Sequence, residues 1–116
     1  RPEAKKHGRL TQVDGFLQKG QNVVVVEDLI STGNSSLLAV EALRAAGANI
    51  KGMAAIFTYG FNVAEENFKN AHVDLFTLSK YQNLLNVAVA KRYITEGEGQ
   101  TVREWNVSPS TWTTEV

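Results

Sequence analysis

Val23-Val24-Val25-Val26-Glu27-Asp28-Leu29-Ile30-Ser31-Thr32-Gly33-Asn34-Ser35-Ser36 is the stretch on which the reading of this chain turns. Four β-branched residues in a row predict a strand. Because the block does not alternate apolar with polar, both faces of that strand are expected to be buried, as in a parallel sheet. Two acids follow, and then a short loop of Ser, Thr, Gly and Asn. Beyond it Leu37, Val40, Leu43 and Ala46 recur at helical spacing, and Gly47 supplies the stop signal. In open α/β sheets, ligands bind beyond the C-terminal ends of the strands. A loop of small residues running into a helix N-terminus offers backbone N–H groups to an anion. Gly33 lets the backbone come close to a phosphate. Carboxylates and a phosphate cradle a few residues apart suit a sugar phosphate, with hydroxyls to Glu27 and Asp28 and the phosphate to Ser31–Ser35. For both acids to reach one ligand, the strand must stop at or near Glu27, since successive strand residues point to opposite faces.

Two other readings of the same residues stand beside this one. Acids after a strand can cap the helix or bind nothing. Receiver domains of response regulators also have a Val-rich strand ending in acids. They need a phosphoacceptor Asp at the end of a later strand, whereas the run Met53–Phe57 is followed by Thr58-Tyr59-Gly60. The chain has no Walker-type Gly-Lys-Ser.

Further along, Met53–Phe57 and Val73–Leu78 are strand candidates. Asn62 with Glu65, and Ser79 with Gln82, are spaced as capping boxes that would open two more helices, the second continuing through Leu84, Leu85, Val87 and Ala88. Gly97 and Gly99 are expected to break that helix. The Ser/Thr-rich tail Val107–Val116 carries no clear element signal. Strand and helix alternate, which predicts an α/β fold with a parallel sheet, flanking helices and right-handed crossovers. Three strands make a thin sheet, so the fold is expected to be incomplete on its own. The chain opens on Arg1-Pro2-Glu3-Ala4 and its one Met is Met53. A processed or truncated chain, with the N-terminal part of the fold absent, is therefore expected.

Bulk properties narrow the class. The 116 residues allow one domain, and 43% hydrophobic with 21% charged residues is ordinary globular composition. Lys+Arg and Asp+Glu both number 12, so no net field draws the chain to nucleic acid or an acidic membrane surface. With no Cys there is neither a disulfide framework nor a thiolate site. The run Val23–Val26 falls far short of a membrane span, no signal peptide is evident, and a cytoplasmic location is expected. Charge is uneven only at the start, where Arg1, Lys5, Lys6, His7 and Arg9 face a single acid, Glu3. By composition that run reads as a solvated basic turn. His72 has no charged constellation beside it and is read as structural. Trp105 and Trp112 are read as core or interface, and Asp74 and Glu65-Glu66 as a solvated edge and helix face.

Position by position, Val23–Ser36 resembles the phosphoribosyl-diphosphate signature of type I phosphoribosyltransferases, a long and specific pattern. Arg1-x-x-Ala4-Lys5-x-His7-Gly8, about twenty residues ahead of the two acids, resembles the flexible catalytic loop of the orotate phosphoribosyltransferases, and Thr58–Phe68 and Leu75–Tyr81 are similar to that branch too. The resemblance implies a type I phosphoribosyltransferase-like fold of which this chain is the C-terminal portion, with residues 1–20 as the catalytic loop region and 21–116 as the diphosphate-binding core. It implies transfer of ribose 5-phosphate from 5-phospho-α-ribosyl diphosphate to orotate, with Mg²⁺ bound chiefly by the ligand's own oxygens. It assigns catalytic roles to Arg1, Lys5, His7, Glu27 and Asp28. The substrate contacts it implies run through Glu27, Asp28, Leu29, Ile30, Ser31, Thr32, Gly33, Asn34 and Ser35. A homodimer is implied as well, because the family's loop reaches the neighbouring subunit's site. Where some members carry a second Lys after the loop Arg, this chain has Pro2. Where some carry an orotate-binding Arg after the strand matching Met53–Phe57, it has Tyr59. A non-catalytic, diphosphate-sensing regulator that binds nucleic acid and an inactive fragment are the alternatives, and the zero net charge and the Arg1/Lys5/His7 loop weigh against the regulator.

Overall fold

The computed structural model describes residues 15–112. Three parallel strands, β1 (Asn22–Ile30), β2 (Asn49–Thr58) and β3 (Leu75–Lys80), lie in the order β1-β2-β3. Helices α1 (Asn34–Ala45) and α2 (Asn62–Asn70) make the two crossovers. After β3 come α3 (Tyr81–Ala90), α4 (Glu96–Val107) and a 3₁₀ turn at Pro109–Thr111. The expected α/β fold with a parallel sheet and flanking helices is observed.

One face of the sheet carries the core. Val25 stands opposite Met53, and Met53 opposite Leu75. Against this row α1 places Val40, and α2 places Ala64 and Phe68. Ile30, Val40 and Met53 are fully buried. Truncating Met53 or Phe68 to Ala would cost roughly 2–5 kcal/mol in lost burial and cavity formation. Arg44, in the last turn of α1, donates to the carbonyls of Ala71 (2.7 Å) and His72 (3.2 Å), tying the C-terminal end of α2 to α1. His72 has left-handed backbone, φ 55°, in the turn after α2.

The other face departs from expectation. Among the described residues it lies open: Val26 is 77% and Phe76 66% exposed, and Val24, Ile56 and Leu78 are exposed beside them. The reason is topological. The chain crosses the sheet in one direction, and right-handed crossovers then put both connecting helices on the same side. Helices α3 and α4 do not cover the second face either. They meet the C-terminal end of the sheet, where Trp105 of α4 lies 6.0 Å from Tyr59, 5.7 Å from Phe61 and 5.8 Å from Tyr81 between ring centroids.

Three element boundaries also differ from the sequence reading. Helix α2 starts one residue after Phe61, so Asn62 is inside the helix and no side chain caps it. Ser79 belongs to β3, and α3 likewise lacks a side-chain cap. Gly97 and Gly99 do not break a helix; they sit inside α4. A Cβ on Gly99 would lie 2.7 Å from a Val89 methyl, so the missing side chain lets α4 approach α3 closely. The reversal between the two helices happens earlier, at Arg92 (φ 61°), and ends in a capping box. There Thr95 accepts from the Glu98 N–H (3.1 Å) and Glu98 accepts from the Thr95 N–H (3.0 Å).

Candidate functional site

The valines of β1 deliver Glu27 and Asp28 toward the C-terminal end of the sheet. The strand does not stop at Glu27: it stays paired with β2 through Leu29 opposite Phe57 and Ile30 opposite Thr58. Within a continuous strand the two carboxylates therefore leave on opposite sides, Glu27 half-buried and Asp28 exposed. The alternation then lapses, with Asp28 and Leu29 both exposed and Ile30 at 1%. Ile30's side chain belongs to the core, which leaves only its backbone for a ligand. Three loop residues later α1 begins. Despite the longer strand, one pocket of about 280 Å³ is lined by the whole run from Glu27 to Ser36. The structure thus brings together Glu27, Asp28, Leu29, Ile30, Ser31, Thr32, Gly33, Asn34 and Ser35. Arg1, Lys5 and His7 lie outside the described residues.

The loop is shaped by its own chemistry and by α2. Gly33 is the residue preceding α1 and has left-handed backbone, φ 85° and ψ 0°, a region that glycine enters without strain. The Thr32 hydroxyl accepts from the Asn34 N–H at 3.3 Å. Gly33 has no side chain to cap α1 and no acid stands in its first turn, so apart from the Asn34 N–H the helix keeps its positive end for an outside anion. From α2, the Asn67 amide donates to the Thr32 carbonyl (3.1 Å) and to the Asn34 side chain (3.3 Å). A Cβ on Gly33 would come within 2.6 Å of the buried Phe68 ring. Asn67 and Phe68 thus hold the loop from below. Sequence reading missed both, because they lie more than thirty residues away and carry no local signal. Gly33 itself is needed by the fold as well as by any close-approaching ligand.

Tyr59 follows β2 directly beside the loop, its N–H donating to the Ile30 carbonyl (3.1 Å). It stacks on Phe61 with centroids 5.2 Å apart, and Asn106 of α4 donates to its carbonyl at 2.8 Å. Burial, with the neighbouring Tyr59 second, raises the Tyr81 phenol above its ordinary value near 10.0. Among the described residues no cluster of three or more His, Cys, Asp or Glu could cage a metal ion. A hard cation at this site would have to take most of its oxygens from its ligand, with Glu27 and Asp28 as the nearby carboxylates. No described helix is long and apolar enough to cross a membrane.

Comparison with known proteins gives the same picture. The chain is 54% identical over 112 residues to the orotate phosphoribosyltransferase of Cytophaga hutchinsonii, and 49% identical over 112 residues to that of Listeria innocua. Each match covers 97% of this chain and 54% of the relative, so the chain spans about half the length of the curated relatives it matches, their C-terminal half. Among solved structures, the crystal structure of orotate phosphoribosyltransferase from Aeropyrum pernix superposes with a TM-score of 0.64 at 35% identity. That match covers 74% of this chain and 48% of that one. The Mycobacterium tuberculosis orotate phosphoribosyltransferase, in complex with 5-phospho-α-D-ribosyl 1-diphosphate, superposes with a TM-score of 0.54 at 30% identity over 61% of this chain and 43% of that one. No protein-family model matches the chain. The resemblance read from the sequence holds, and the fold is that of the C-terminal part of a type I phosphoribosyltransferase.

Proposed function

We propose that this chain is the diphosphate-binding half of an orotate phosphoribosyltransferase. It would transfer ribose 5-phosphate from 5-phospho-α-ribosyl diphosphate to orotate, giving orotidine monophosphate and pyrophosphate. The observation that carries the reading is the unbroken run Glu27–Ser36, which lines one pocket between a strand end and an uncapped helix N-terminus.

Each part of the run then has a task. The N–H groups and hydroxyls of Ser31–Ser35 hold the 5-phosphate, with the positive end of α1 behind them. Asp28 accepts from the ribose hydroxyls; Glu27 leaves the strand on the other side but lines the same pocket, and the negative charge of the pair favours the cationic character that the anomeric carbon develops as pyrophosphate leaves. Mg²⁺, when bound to the diphosphate, neutralises charge on the departing group. Arg1, Lys5 and His7 close over that group and act across a homodimer, so their contribution is greatest in the transition state. By the family resemblance Tyr59 stands where some members have an orotate-binding arginine, so on this reading the carboxylate of orotate needs another partner. The cytoplasm suits these substrates.

Asp28→Asn tests the assignment. It keeps the size of the side chain, and Asp28 is exposed, so folding should be unaffected. Calorimetric titration with 5-phospho-α-ribosyl diphosphate should show affinity falling by about tenfold or more, the scale of one lost charge-assisted hydrogen bond. Unchanged affinity in the folded variant would remove the carboxylate from the ribose site.

A further inference from the structure

Beside the candidate site the β1–β2 ladder ends on an exchange of donors. Strand β2 runs to Thr58, and the N–H of Tyr59 still donates to the carbonyl of Ile30 at 3.1 Å. In a parallel ladder each bonded residue of one strand reaches two residues of its neighbour, two positions apart. Continued by one more bond, this ladder would give the Tyr59 carbonyl the N–H of Thr32. That bond is not made. The Tyr59 carbonyl is taken instead by the side-chain amide of Asn106, 47 residues further along the chain, at 2.8 Å. Among the described residues the Thr32 N–H donates to no backbone acceptor, and Thr32 lines the Glu27–Ser36 pocket.

The other polar groups of Thr32 are already engaged. Its carbonyl accepts from the Asn67 amide at 3.1 Å, and its hydroxyl from the Asn34 N–H at 3.3 Å. The N–H is left over, in a loop whose N–H groups are its means of holding an anion. Asn106, half-buried on α4, is itself held in place. The ring of the preceding residue, Trp105, meets the rings of Tyr59 and Phe61 edge-on. The Tyr81 hydroxyl donates to the Val102 carbonyl one turn earlier (3.4 Å), and the Thr95–Glu98 box fixes where α4 begins. A partly buried carbonyl left without a donor is costly. Without Asn106, the Tyr59 carbonyl would turn to the donor that the ladder register offers, the Thr32 N–H, and draw the loop into the sheet.

We propose that Asn106 is a positioning residue: by occupying the Tyr59 carbonyl it ends the β1–β2 ladder at Ile30 and keeps the Thr32 N–H for the phosphate of the bound substrate. Helix α4, which contributes no residue to the lining of the pocket, thereby sets how open the loop stands. The nature of the ligand rests on the phosphoribosyltransferase reading; the exchange of one donor for another at Tyr59 does not.

Asn106→Leu keeps the bulk of the side chain and removes the donor. In the protein expressed from its whole reading frame, solvent exchange of the Thr32 amide, followed by nuclear magnetic resonance, should slow by about tenfold as that group enters the ladder. Affinity for 5-phospho-α-ribosyl diphosphate, measured by calorimetric titration, should fall by about tenfold. Asn106→Asp also lacks the donor and should do both, which guards against a fault peculiar to leucine. Arg103→Ala removes the bond from α4 to Asn86 (3.0 Å) and should change neither. Slowed exchange separates positioning from support, since losing a brace that only holds the fold together would let the loop exchange faster. Thr32 exchange that is unchanged or faster in both Asn106 variants would overturn the proposal, and so would slowed exchange with undiminished affinity. If the wild-type protein binds no diphosphate, the phosphoribosyltransferase reading fails, and the Thr32 exchange still decides the role of Asn106.

Discussion

Gly33 shows how one residue can satisfy two demands. Its φ of 85° lies where a side chain is strained, and a Cβ would meet the Phe68 ring at 2.6 Å. Gly33→Ala should therefore destabilise the fold by about 1–2 kcal/mol from the left-handed backbone alone, with the contact against Phe68 added to it. Urea unfolding would measure this, and an unmoved midpoint would mean that the loop relaxes freely away from α2. The sequence announced that a glycine was needed here for a close approach to phosphate. It gave no hint of Phe68, because that contact exists only once β2 and α2 have brought residue 68 under the loop. Glu27 and Asp28 stood out as the candidate chemical centre for a different reason: acids at the end of an apolar strand have few structural uses. Their geometry was less legible. Ladder hydrogen bonds continue to Ile30 and keep the strand going past the point where polarity suggested it would end.

At the scale of elements, helix spacing was the strong signal and caps the weak one. Val40 and Leu37 pointed to α1 because a 3.6-residue period is hard to produce otherwise. Asn62/Glu65 and Ser79/Gln82 had the right spacing for caps and formed none, since Asn62 falls inside its helix and Ser79 is held in the β3 ladder. Thr95/Glu98 had equal claim and is real. The two glycines next to it suggested a loop, but Gly99 serves the contact with Val89. Thr95→Ala should destabilise α4 by about 1 kcal/mol, seen as a lower thermal midpoint. The box also carries a pH dependence. Hydrogen bonds from the Thr95 backbone, then from its side chain, hold the Glu98 carboxyl below its ordinary 4.5. A depressed value in the folded state means that the contribution is present above the ordinary carboxylate range and is lost as pH falls through the folded value. Thr95→Ala keeps the backbone donor, so only the lesser, side-chain part of the acid-side loss should be missing there. An identical acid titration of stability in both proteins would contradict it.

For the whole molecule, the alternation of strand and helix was enough to read an α/β parallel sheet, and the thinness of that sheet pointed to an incomplete one. The open second face was not foreseen. Four valines in a row describe a strand meant for burial on both sides, and only the direction of the crossovers shows which side this chain covers itself. The segment Arg1-Pro2-Glu3-Ala4-Lys5-Lys6-His7, proposed as the catalytic loop, belongs to the same scale, because its proposed action lies across two subunits. Mixing Lys5→Ala with Asp28→Asn should restore part of the activity lost in each, through mixed dimers with one intact site. No recovery on mixing would place the loop in its own subunit's site.

Formation of orotidine monophosphate from orotate and 5-phospho-α-ribosyl diphosphate, by the protein expressed from its whole reading frame, tests the central claim most directly. The account predicts product that appears with Mg²⁺, falls sharply when the ion is chelated, and drops by about tenfold or more in Asp28→Asn. A folded protein that binds the diphosphate but forms no orotidine monophosphate with Mg²⁺ would contradict it.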